Sequence, residues 1–579
     1  MKLVSVEQMR AIEKASDAAG YSYAAMMERA GAAVADVVVT KLRERFGLET
    51  AGRHVLVLVG PGNNGGDGLV AARILRQAGA QVTCYLFKAR AEDDPNLAAA
   101  VEKGCLITAA PDDEQWRTLR EEVQGVDVLV DALLGTGTAR PIEGDMAALL
   151  RAVAAEVEKR RAPGPASLLS LSFPAAESAR LPLLVGVDGP TGMNYDSGEL
   201  DPLALAVDVS VTFAYPKLGH LRFPAAGACG ELIVADIGTD SLAGGVDKAI
   251  GVTLEVADPA LVRPLLPSRP LDAHKGSFGK LMVVAGSVFY SGASVLAAKA
   301  AYRVGSGLVT LAAPRAIYTS LASSMSETTY LILPDDMGVV TPNAAKLLAD
   351  KLAAYQVMLV GPGLSAEKEA VAFVQHLFGI EPAGRKSIGF QTHAEGQAGQ
   401  PDKVSLPPLV VDADGLNALA SIERWWEQLP AQTILTPHPG EMARLMKLDQ
   451  DKERSLANRW EIASQQAAAW GHVVVLKGAF TVVASPQGRT VVLPFANPAL
   501  ATAGSGDVLA GAIAGLLGQG PAPFEAALCG AYLHGLAGEL ARREIGSAGV
   551  VAGDVLARLP QALQRLRYAP IAPGWVKAS

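Results

Sequence analysis

Cysteine is scarce in this chain, with Cys84, Cys105, Cys229 and Cys529 among 579 residues and no C-x-x-C pair. A disulfide framework and a thiolate metal site are therefore not expected, and a reducing compartment fits. No apolar run reaches the roughly 18 residues that a membrane-spanning helix needs. The first residues, MKLVSVEQMRAIEKASD, are charged and amphipathic, without the apolar core of a signal peptide. We therefore expect a cytoplasmic protein with no membrane partner.

The chain also lacks a large excess of either positive or negative charge. The chain has 51 Lys and Arg against 59 Asp and Glu, a net charge of −8, and no long basic run. Only 19% of the residues are charged and 50% are hydrophobic, which is typical of a compact enzyme. This balance argues against nucleic acid as a partner, so any phosphate must be bound by a local site. A chain of 579 residues is long enough for two domains, each with its own core.

The stretch Ala503–Gly511, AGSGDVLAG, places an aspartate between a run of small residues and a predicted helix. The GSG run lets backbone N–H groups converge, and the apolar segment Val508–Leu517 predicts a helix that begins there. The turn is therefore expected to bind an anion. Asp507 beside it would act as a base that takes a proton from a hydroxyl attacking phosphorus. The alternative is a glycine-rich turn in which this aspartate caps the helix.

The surroundings of this turn favour the chemical interpretation. An Asn-Pro pair stands at 497–498, glycines follow at 511 and 515, and Lys477–Thr481 reads KGAFT. This combination resembles the ribokinase-like superfamily, in which a GxGD turn forms the anion hole and its aspartate activates a substrate hydroxyl. Ser505 stands where that superfamily commonly has threonine, and it keeps the hydroxyl.

In the first half, an apolar strand is followed three times by a glycine-containing loop with an acidic residue. HVLVLVG at 54–60 leads into PGNNGGDG, Val126–Asp131 leads into ALLGTG, and Leu181–Val187 leads into DGPTG. In a parallel sheet the loops after the strands lie along one edge. We therefore expect one site to gather Asn64, Asp67, Asp131 and Asp188. The alternative for each loop alone is an ordinary turn.

The motifs NNGGDGLVAARIL, VDALLGTG and VDGPTG resemble the N-terminal epimerase domain of the bifunctional NAD(P)H-hydrate repair enzymes, over roughly the first 240 residues. The resemblance implies inversion of the hydrated carbon of the damaged nicotinamide ring, from the R to the S hydrate. It also implies that Asp188 transfers the proton; its place after a buried strand allows a raised pKa. The substrate and its phosphates would be lined by Asn63, Asn64, Gly65, Gly66, Asp67, Gly135, Thr136, Gly137, Thr138, Ala139, Arg140, Pro141 and Asp188.

The same resemblance implies a potassium ion held by Asn64, Asp131 and Thr191. These side chains offer only oxygen donors, which suit a hard cation and not zinc. The alternative is that Asp131 caps a helix and Thr191 is a turn residue. Lys217, in the segment YPKLG, is interpreted as a solvated loop lysine rather than a phosphate contact.

Apolar strands alternate with helical patterns in the second half as well, which predicts a second α/β domain. The strands are expected at Lys280–Ala285, Leu308–Ala312, Val357–Val360, Leu409–Val411, Thr433–Leu435 and Val473–Leu476. The loops after four of them read VGPGLS, VDADGLNAL, TPHPGE and KGAFT. In TPHPGE, two prolines hold His438 rigidly at the edge of the sheet.

With GSGD, these loops resemble the C-terminal dehydratase domain of the same repair enzymes, over residues 268–572. The resemblance implies that Ala293, Gly363, His438 and Asp507 contact the hydrate. It implies that the adenine nucleotide is bound by Lys477, Gly478, Ala479, Phe480, Thr481 and Gly506. A phosphoryl group would pass from ADP or ATP, with Mg²⁺, to the ring hydroxyl, and loss of phosphate would restore the double bond. Lys477 would supply positive charge near the phosphates.

The predicted fold class is α/β. A Rossmann-like three-layer α/β/α domain is expected at 1–245, a linker at 246–267 and a ribokinase-like α/β domain at 268–579. Two polar or Pro-rich stretches, 160–180 and 380–408, are interpreted as surface insertions without chemistry, and His393 within the second as solvated. Asp412 and Asp414 are left open between a role with Mg²⁺ and capping of the following helix.

We therefore expect a two-domain repair enzyme acting on NADHX and NADPHX, with an adenine nucleotide as second substrate. A homo-oligomer is expected from the resemblance, and the choice between ADP and ATP stays open. One alternative is a ribokinase-like kinase for a vitamin precursor, which would release a stable phosphorylated product. Another is a non-catalytic binding module in the first half, which the acids at 67, 131 and 188 argue against.

Overall fold

The structure of the protein is a computed structural model. It describes residues 1–91, 93–137, 140–161, 181–239, 250–379, 405–448, 458–569 and 576–578. The predictions for Thr138, Ala139, His393 and most of both insertions lie outside these residues. The chain divides into one unit comprising Met1–Thr253 with Ala572–Ser579, and a second comprising Leu254–Ile571.

Within the described residues, the first unit is built on a sheet of eight strands in the order β20-β7-β6-β5-β4-β1-β2-β3. All neighbouring strands are parallel except β20 and β7. The strands are β1 His54–Val59, β2 Gln81–Leu86, β3 Leu106–Ala109, β4 Val128–Ala132, β5 Leu183–Val187, β6 Val209–Phe213, β7 Glu231–Ala235 and β20 Val576–Ala578. β1, β4 and β5 lie side by side, so the three predicted loops leave the same edge.

Helices cover the first sheet, which explains why its central strands are apolar on both faces. They span Val6–Ala18, Tyr23–Phe46, Asn63–Gln77, Pro95–Glu102, Arg117–Gly125, Gly144–Arg161 and Ala225–Ala228. The first helix begins with a capping box between Ser5 and Gln8, and the second ends at Gly47 in the left-handed conformation.

The second unit has, among its described residues, a sheet of ten strands in the order β11-β10-β9-β14-β15-β16-β17-β18-β19-β8. β18 is antiparallel to both of its neighbours, and the other pairs are parallel. The strands are β8 Leu254–Val256, β9 Lys280–Val284, β10 Leu308–Pro314, β11 Thr329–Leu333, β14 Val357–Val360, β15 Leu409–Val411, β16 Ile434–Leu435, β17 Val473–Leu476, β18 Val482–Ala484 and β19 Thr490–Val492. A separate hairpin pairs β12 Asp335–Asp336 with β13 Val339–Val340.

Helices of the second unit include a buried pair formed by Ser291–Arg303 and Ser505–Leu517. They pack very closely, because a Cβ at Gly511 would lie 2.1 Å from the carbonyl oxygen of Ala297. The other helices are Pro259–Val262, Tyr318–Ser324, Ala344–Leu352, Lys368–Leu377, Asp414–Ala420, Pro439–Leu445, Arg459–Trp470, Pro523–Ile545 and Ala552–Tyr568. The predicted α/β class is confirmed for both units.

The division of the chain differs from the predicted boundaries in two places. β8 lies within 246–267, where a linker was predicted, and it pairs with β19 in the second sheet. Residues 576–578, which were placed in the second domain, pair with β7 of the first sheet. Both pairings join segments far apart in sequence, so the local amino-acid composition does not indicate them.

No helix in the described part of the chain is long and apolar enough to cross a membrane.

Candidate active sites

The loops after β1, β4 and β5 line a cavity of about 740 Å³ in the first unit. Its polar walls include Arg10, Glu13, Asn64, Asp67, Asp188 and Lys217. Asn63, Gly135, Thr136 and Gly137 also line it, as predicted from the motifs. The helix Val6–Ala18, to which the sequence assigned no function, contributes Arg10 and Glu13. Nothing in its amphipathic pattern distinguishes these two residues from ordinary surface charges.

Asp188 and Lys217 form a buried ion pair in this cavity. Lys217 Nζ lies 2.7 Å from Asp188 Oδ1 and 2.9 Å from Thr212 Oγ1, and the lysine is 2% exposed. Thr212 also donates to the same carboxylate oxygen at 2.6 Å. The prediction of a solvated Lys217 is therefore wrong. A loop lysine is usually exposed, but β6 places this one beside the end of β5, where a buried carboxylate requires a cation.

The pKa of Asp188 lies below its usual value. Burial alone would raise this pKa, but the Lys217 ammonium, with the hydrogen bonds from Lys217 and Thr212, outweighs burial. The raised pKa that a position after a buried strand allows is therefore not found at Asp188. Asp188 is thus a buried, ionised carboxylate in the wall of the cavity.

His220 fixes the backbone at Asp188. Its Nδ1 accepts a hydrogen bond from the Lys217 N–H at 2.9 Å, so Nε2 carries the proton and donates to the Asp188 carbonyl at 2.8 Å. Burial lowers the pKa of His220 to about 4, so the ring is neutral at pH 7. Asp188 has a φ of 65°, which is uncommon for a residue other than glycine. The His220 bond holds the chain in this conformation.

Two further carboxyl groups of the cavity have raised pKa values, in contrast to Asp188. Burial raises the pKa of Asp67 well above its usual value, and the negative charges of Asp188 and Glu13 add to that effect. Burial likewise raises the pKa of Glu13, although Lys217 opposes the change. The cavity therefore combines an ionised Asp188 with an Asp67 that retains its proton more strongly than an ordinary aspartate.

Asp131 and Thr191 are bonded to each other and fully buried. Thr191 donates to Asp131 Oδ1 from Oγ1 at 2.7 Å and to Oδ2 from its N–H at 2.8 Å. Thr191 Oγ1 also accepts from the Leu134 N–H at 3.1 Å, and Leu133 N–H donates to Asp131 at 3.3 Å. A Cβ at Gly135 would lie 3.0 Å from Asn64 Oδ1. The loop 133–135 therefore contacts all three residues of the predicted potassium site.

These three residues fit a potassium ion. Their side chains bring oxygen atoms to one loop, with the Asp131 carboxylate bonded to the Thr191 hydroxyl and the Asn64 amide oxygen beside Gly135. Across the described ranges, no cluster of three or more His, Cys, Asp and Glu side chains could hold a metal. The potassium ion stays a prediction.

The other predicted residues of the first site have different positions. Gly65 and Gly66 are buried in the first turn of the helix Asn63–Gln77, where a Cβ at Gly65 would lie 2.1 Å from the Gly60 carbonyl oxygen. They shape the loop rather than line the cavity. Arg140 and Pro141 are exposed and are not among the residues that line it.

In the second unit, the GSGD turn has the predicted geometry. Gly504, with a φ of 86°, caps the helix Ser505–Leu517, and Asp507 lies in its first turn. The Asp507 carboxylate receives no hydrogen bond from the described residues and is only half-buried. Burial raises the pKa of Asp507 to about 7, with Asp412 adding to the effect and Lys477 opposing it. The carboxylate is therefore free to act as a base near neutral pH.

Lys477 lies between the GSGD turn and the loops that carry Asp412 and Glu441. Its Nζ lies 2.7 Å from Asp412 Oδ1 and 3.5 Å from Glu441 Oε2, and a Cβ at Gly506 would lie 3.6 Å from it. Two carboxylates thus neutralise the lysine that was predicted to stand near phosphates. Glu441 was overlooked as a site residue, although it ends the TPHPGE motif.

Asp412 and Asp414 have distinct partners. Asp412 accepts from Thr436 Oγ1 at 2.7 Å as well as from Lys477, whereas Asp414 Oδ2 accepts from the Ser365 N–H at 2.9 Å. Asp414 therefore fixes the loop that follows β14, which is not the helix cap considered for it. A role with Mg²⁺ stays a prediction for both residues.

The predicted substrate contacts lie around the same turn. His438 Nδ1 accepts from the N–H groups of Gly440 and Glu441, and burial and Lys477 lower its pKa, so the ring is neutral. A Cβ at Gly363 would lie 2.9 Å from the Ala293 Cβ, so these two predicted residues meet. A Cβ at Gly504 would lie 2.6 Å from Leu296 Cδ1, which places the helix Ser291–Arg303 against the GSGD turn.

Comparison with known proteins agrees with both halves of this description. Residues 281–381 and 400–561 match the family described as NAD(P)H-hydrate dehydratase, and residues 23–219 match the family described as the YjeF-related protein N-terminus. The bifunctional NAD(P)H-hydrate repair enzyme of Moorella thermoacetica is 36% identical over 550 residues, covering 93% of this chain and 92% of that protein. The chain belongs to the bifunctional NAD(P)H-hydrate repair enzymes.

A second relative, the bifunctional NAD(P)H-hydrate repair enzyme of Thermofilum pendens, is 35% identical over 98% of this chain and 97% of its own length. Among solved structures, the ADP/ATP-dependent NAD(P)H-hydrate dehydratase of Bacillus subtilis, co-crystallised with ATP and Mg²⁺, is 29% identical. It covers 54% of this chain and 98% of its own, with a TM-score of 0.43. The predicted family and its two-part enzymatic character are confirmed.

Proposed function

We propose that the first unit interconverts the R and S hydrates of NADH and NADPH. The second unit dehydrates the S hydrate to NAD(P)H at the expense of ADP or ATP, which become AMP or ADP and phosphate. The observation that carries this proposal is the half-buried Asp507, whose pKa is about 7, at a helix N-terminus beside Lys477.

Asp507 is assigned as the base of the dehydration. It takes the proton of the ring hydroxyl as that oxygen attacks the terminal phosphorus of the nucleotide. The N–H groups of the turn 504–507 face the phosphoryl group during transfer. The phosphorylated oxygen then leaves as phosphate, and the neighbouring ring carbon loses a proton, which restores the double bond. The Lys477–Thr481 loop and Gly506 are assigned to the nucleotide, and Ala293, Gly363 and His438 to the hydrate.

Asp188 and Asp67 are assigned as the proton carriers of the epimerisation. The hydrated carbon is bonded to the ring nitrogen, whose electron pair assists departure of the hydroxyl once that group is protonated. Inversion then requires water to return from the opposite face. Asp67, with its raised pKa, suits the proton donor, and Asp188, held ionised by Lys217, suits the acceptor. The two roles exchange for the reverse reaction.

Asn64, Asp131 and Thr191 would hold the potassium ion, which when bound supplies positive charge beside the substrate. Arg10 and Lys14 line the same cavity and suit the substrate phosphates. The ATP and Mg²⁺ of the Bacillus subtilis dehydratase support an adenine nucleotide with Mg²⁺ in the second unit. A homo-oligomer and a cytoplasmic location stay predictions, and light scattering of the purified protein tests the first.

Recovery of NADH from a mixture of its R and S hydrates tests the proposal. The intact protein with ADP or ATP and Mg²⁺ should restore all of the absorbance of reduced nicotinamide. Asp507→Asn should restore none, and Asp188→Asn should restore only the S fraction beyond slow spontaneous epimerisation. A protein that instead consumes nucleotide to give a stable phosphorylated vitamin-type alcohol, with no recovery of NADH, would be a kinase.

A further inference from the structure

Arg459 lies beneath the loop Lys477–Thr481. It is the first residue of the helix Arg459–Trp470, and its side chain points towards the end of β17. Nη2 donates to the carbonyls of Leu476 at 3.0 Å and Lys477 at 2.9 Å, and Nη1 donates to the carbonyl of Ala479. A Cβ at Gly478 would lie 2.8 Å from Nη2, so only glycine fits above the guanidinium.

These three bonds determine how the peptide groups of the loop are oriented. In a trans peptide, the carbonyl of one residue points opposite to the N–H of the next. Because the Lys477 and Ala479 carbonyls face Arg459, the N–H groups of Gly478 and Phe480 face away from it. They donate to Thr481 Oγ1 at 3.3 Å and to the Phe495 carbonyl at 2.7 Å. Arg459 therefore sets the orientation of consecutive peptides in this loop.

The backbone of the loop also requires such support. Phe480 has a φ of 54°, in the left-handed region that side chains other than glycine rarely adopt, and Gly478 has a φ of 141°. A strained conformation persists only when surrounding contacts hold it. The fork of the guanidinium, which bonds several carbonyls at fixed angles, is suited to this task in a way that a lysine is not.

The place of the Arg459 charge at the start of a helix is also unusual. A cation at the first residue of a helix opposes the helix dipole, and no carboxylate in the described part of the chain pairs with Arg459. Burial lowers the pKa of Arg459 to about 10, which still leaves the group charged at neutral pH. This positive charge lies under the loop whose Lys477 is already neutralised by Asp412 and Glu441.

We propose that Arg459 is a positioning residue for the adenine nucleotide. It holds the loop Lys477–Thr481 in the conformation that receives the nucleotide, and it places a positive charge beneath the phosphates. The inference rests on the proposed function, which assigns this loop to ADP or ATP. A residue that acts in this way changes nucleotide affinity far more than the chemical step or the epimerase reaction.

Nucleotide binding and kinetics of full-length variants test the proposal. Arg459→Met and Arg459→Lys should weaken ADP binding, measured by titration calorimetry without the hydrate, by about tenfold or more. The KM for ADP should rise to match, while kcat on the S hydrate and the epimerase rate change by less than about threefold. Arg489→Met, which removes an arginine paired with Glu255, is the matched control and should leave ADP binding unchanged.

The lysine variant separates the two parts of the role. Weak ADP binding in both variants supports a requirement for the guanidinium fork. ADP binding retained in Arg459→Lys would show that the positive charge alone suffices, and it would overturn the positioning of the loop. Unchanged ADP binding in Arg459→Met overturns the whole inference. Should Arg459→Met fail to fold, Arg459→Lys decides by the same measurement. Failure of the proposed function would differ: ADP would bind to the intact protein and no NADH would form.

Discussion

Lys217 Nζ lies 2.7 Å from Asp188 Oδ1, although 29 residues separate them in the chain. The pair is buried in the wall of the cavity, where the ammonium keeps the carboxylate ionised against the effect of burial. An ionised carboxylate in the same cavity as Asp67, a carboxyl group whose pKa is raised, is an arrangement that acid–base chemistry uses. The pair therefore links the fold of the first unit directly to the proposed epimerisation.

Removal of the Lys217 charge should impair epimerisation. In Lys217→Met the Asp188 carboxylate loses its cation, so its pKa rises and the acidic limb of the epimerase pH profile moves to higher pH. We expect the epimerase rate at pH 7 to fall by about 10²-fold or more. The measurement is conversion of purified R hydrate, followed by a coupled dehydratase in excess.

Lys41→Met provides the matched control for this variant. Lys41 is also a buried lysine of the first unit, paired with Glu44 and Glu231 away from the cavity. It should lower the thermal stability without moving the epimerase pH profile. An unshifted profile in Lys217→Met, with the protein still folded, would contradict the proposed role of the pair.

Asp507 should control the pH dependence of dehydration. Its folded pKa of about 7 is higher than the value of about 3.9 expected in the unfolded chain. The dehydratase rate should therefore rise with pH through about 7, and Asp507→Asn should reduce it by about 10²–10⁴-fold. Both the pH dependence and the loss of rate in Asp507→Asn are measured as initial rates on the pure S hydrate. The pH range is 5 to 9, about two units either side of that pKa.

The raised pKa of Asp507 also predicts how the stability of the protein changes with pH. A carboxyl group whose folded pKa is raised favours the folded state at low pH, and this contribution is lost as the pH rises through the folded pKa. Asp507→Asn cannot ionise, so it should unfold at a higher temperature than the intact protein at pH 8 and at a similar one near pH 4. Equal stabilisation at both pH values would show that Asp507 is not the group responsible.

Thr191 should couple stability of the first unit to potassium. Thr191→Val keeps the shape of the side chain but removes the hydroxyl that bonds Asp131 and Leu134. We expect a loss of about 1–3 kcal/mol in unfolding free energy. The increase in melting temperature on replacing choline chloride by potassium chloride should also disappear. Thr83→Val, at a buried threonine of β2, should preserve that increase.

Ser505 should tolerate threonine better than alanine. Its buried hydroxyl lies 3.1 Å from Nε2 of His534, a ring that burial keeps neutral with a pKa of about 4. Ser505→Ala removes this support of the GSGD turn, and kcat/KM of the dehydratase should fall by about tenfold. Ser505→Thr keeps a hydroxyl and should stay within about threefold. A drop in Ser505→Thr as large as in Ser505→Ala would exclude the bond to His534 as the cause.

The sequence by itself determined the two α/β domains and the loops that form each site. Apolar strands followed by glycine-containing loops predicted parallel sheets, and in a parallel sheet such loops lie along one edge. The placement of Asn64, Asp131, Asp188 and Asp507 follows from that rule together with short motifs. Gly504 is likewise readable, because a helix that starts at a left-handed residue favours glycine.

The tertiary structure decided which charges meet and how they are neutralised. Lys217 looked like a surface lysine and Arg459 like any first residue of a helix, since neither has a local pattern that marks it. Their roles arise from contacts between strands and helices distant in sequence, to Asp188 and to the carbonyls of the KGAFT loop. The pKa of a buried group depends on burial and neighbouring charges, and only the folded arrangement sets both. For that reason only the tertiary structure shows that the pKa of Asp188 is lowered and that of Asp67 is raised.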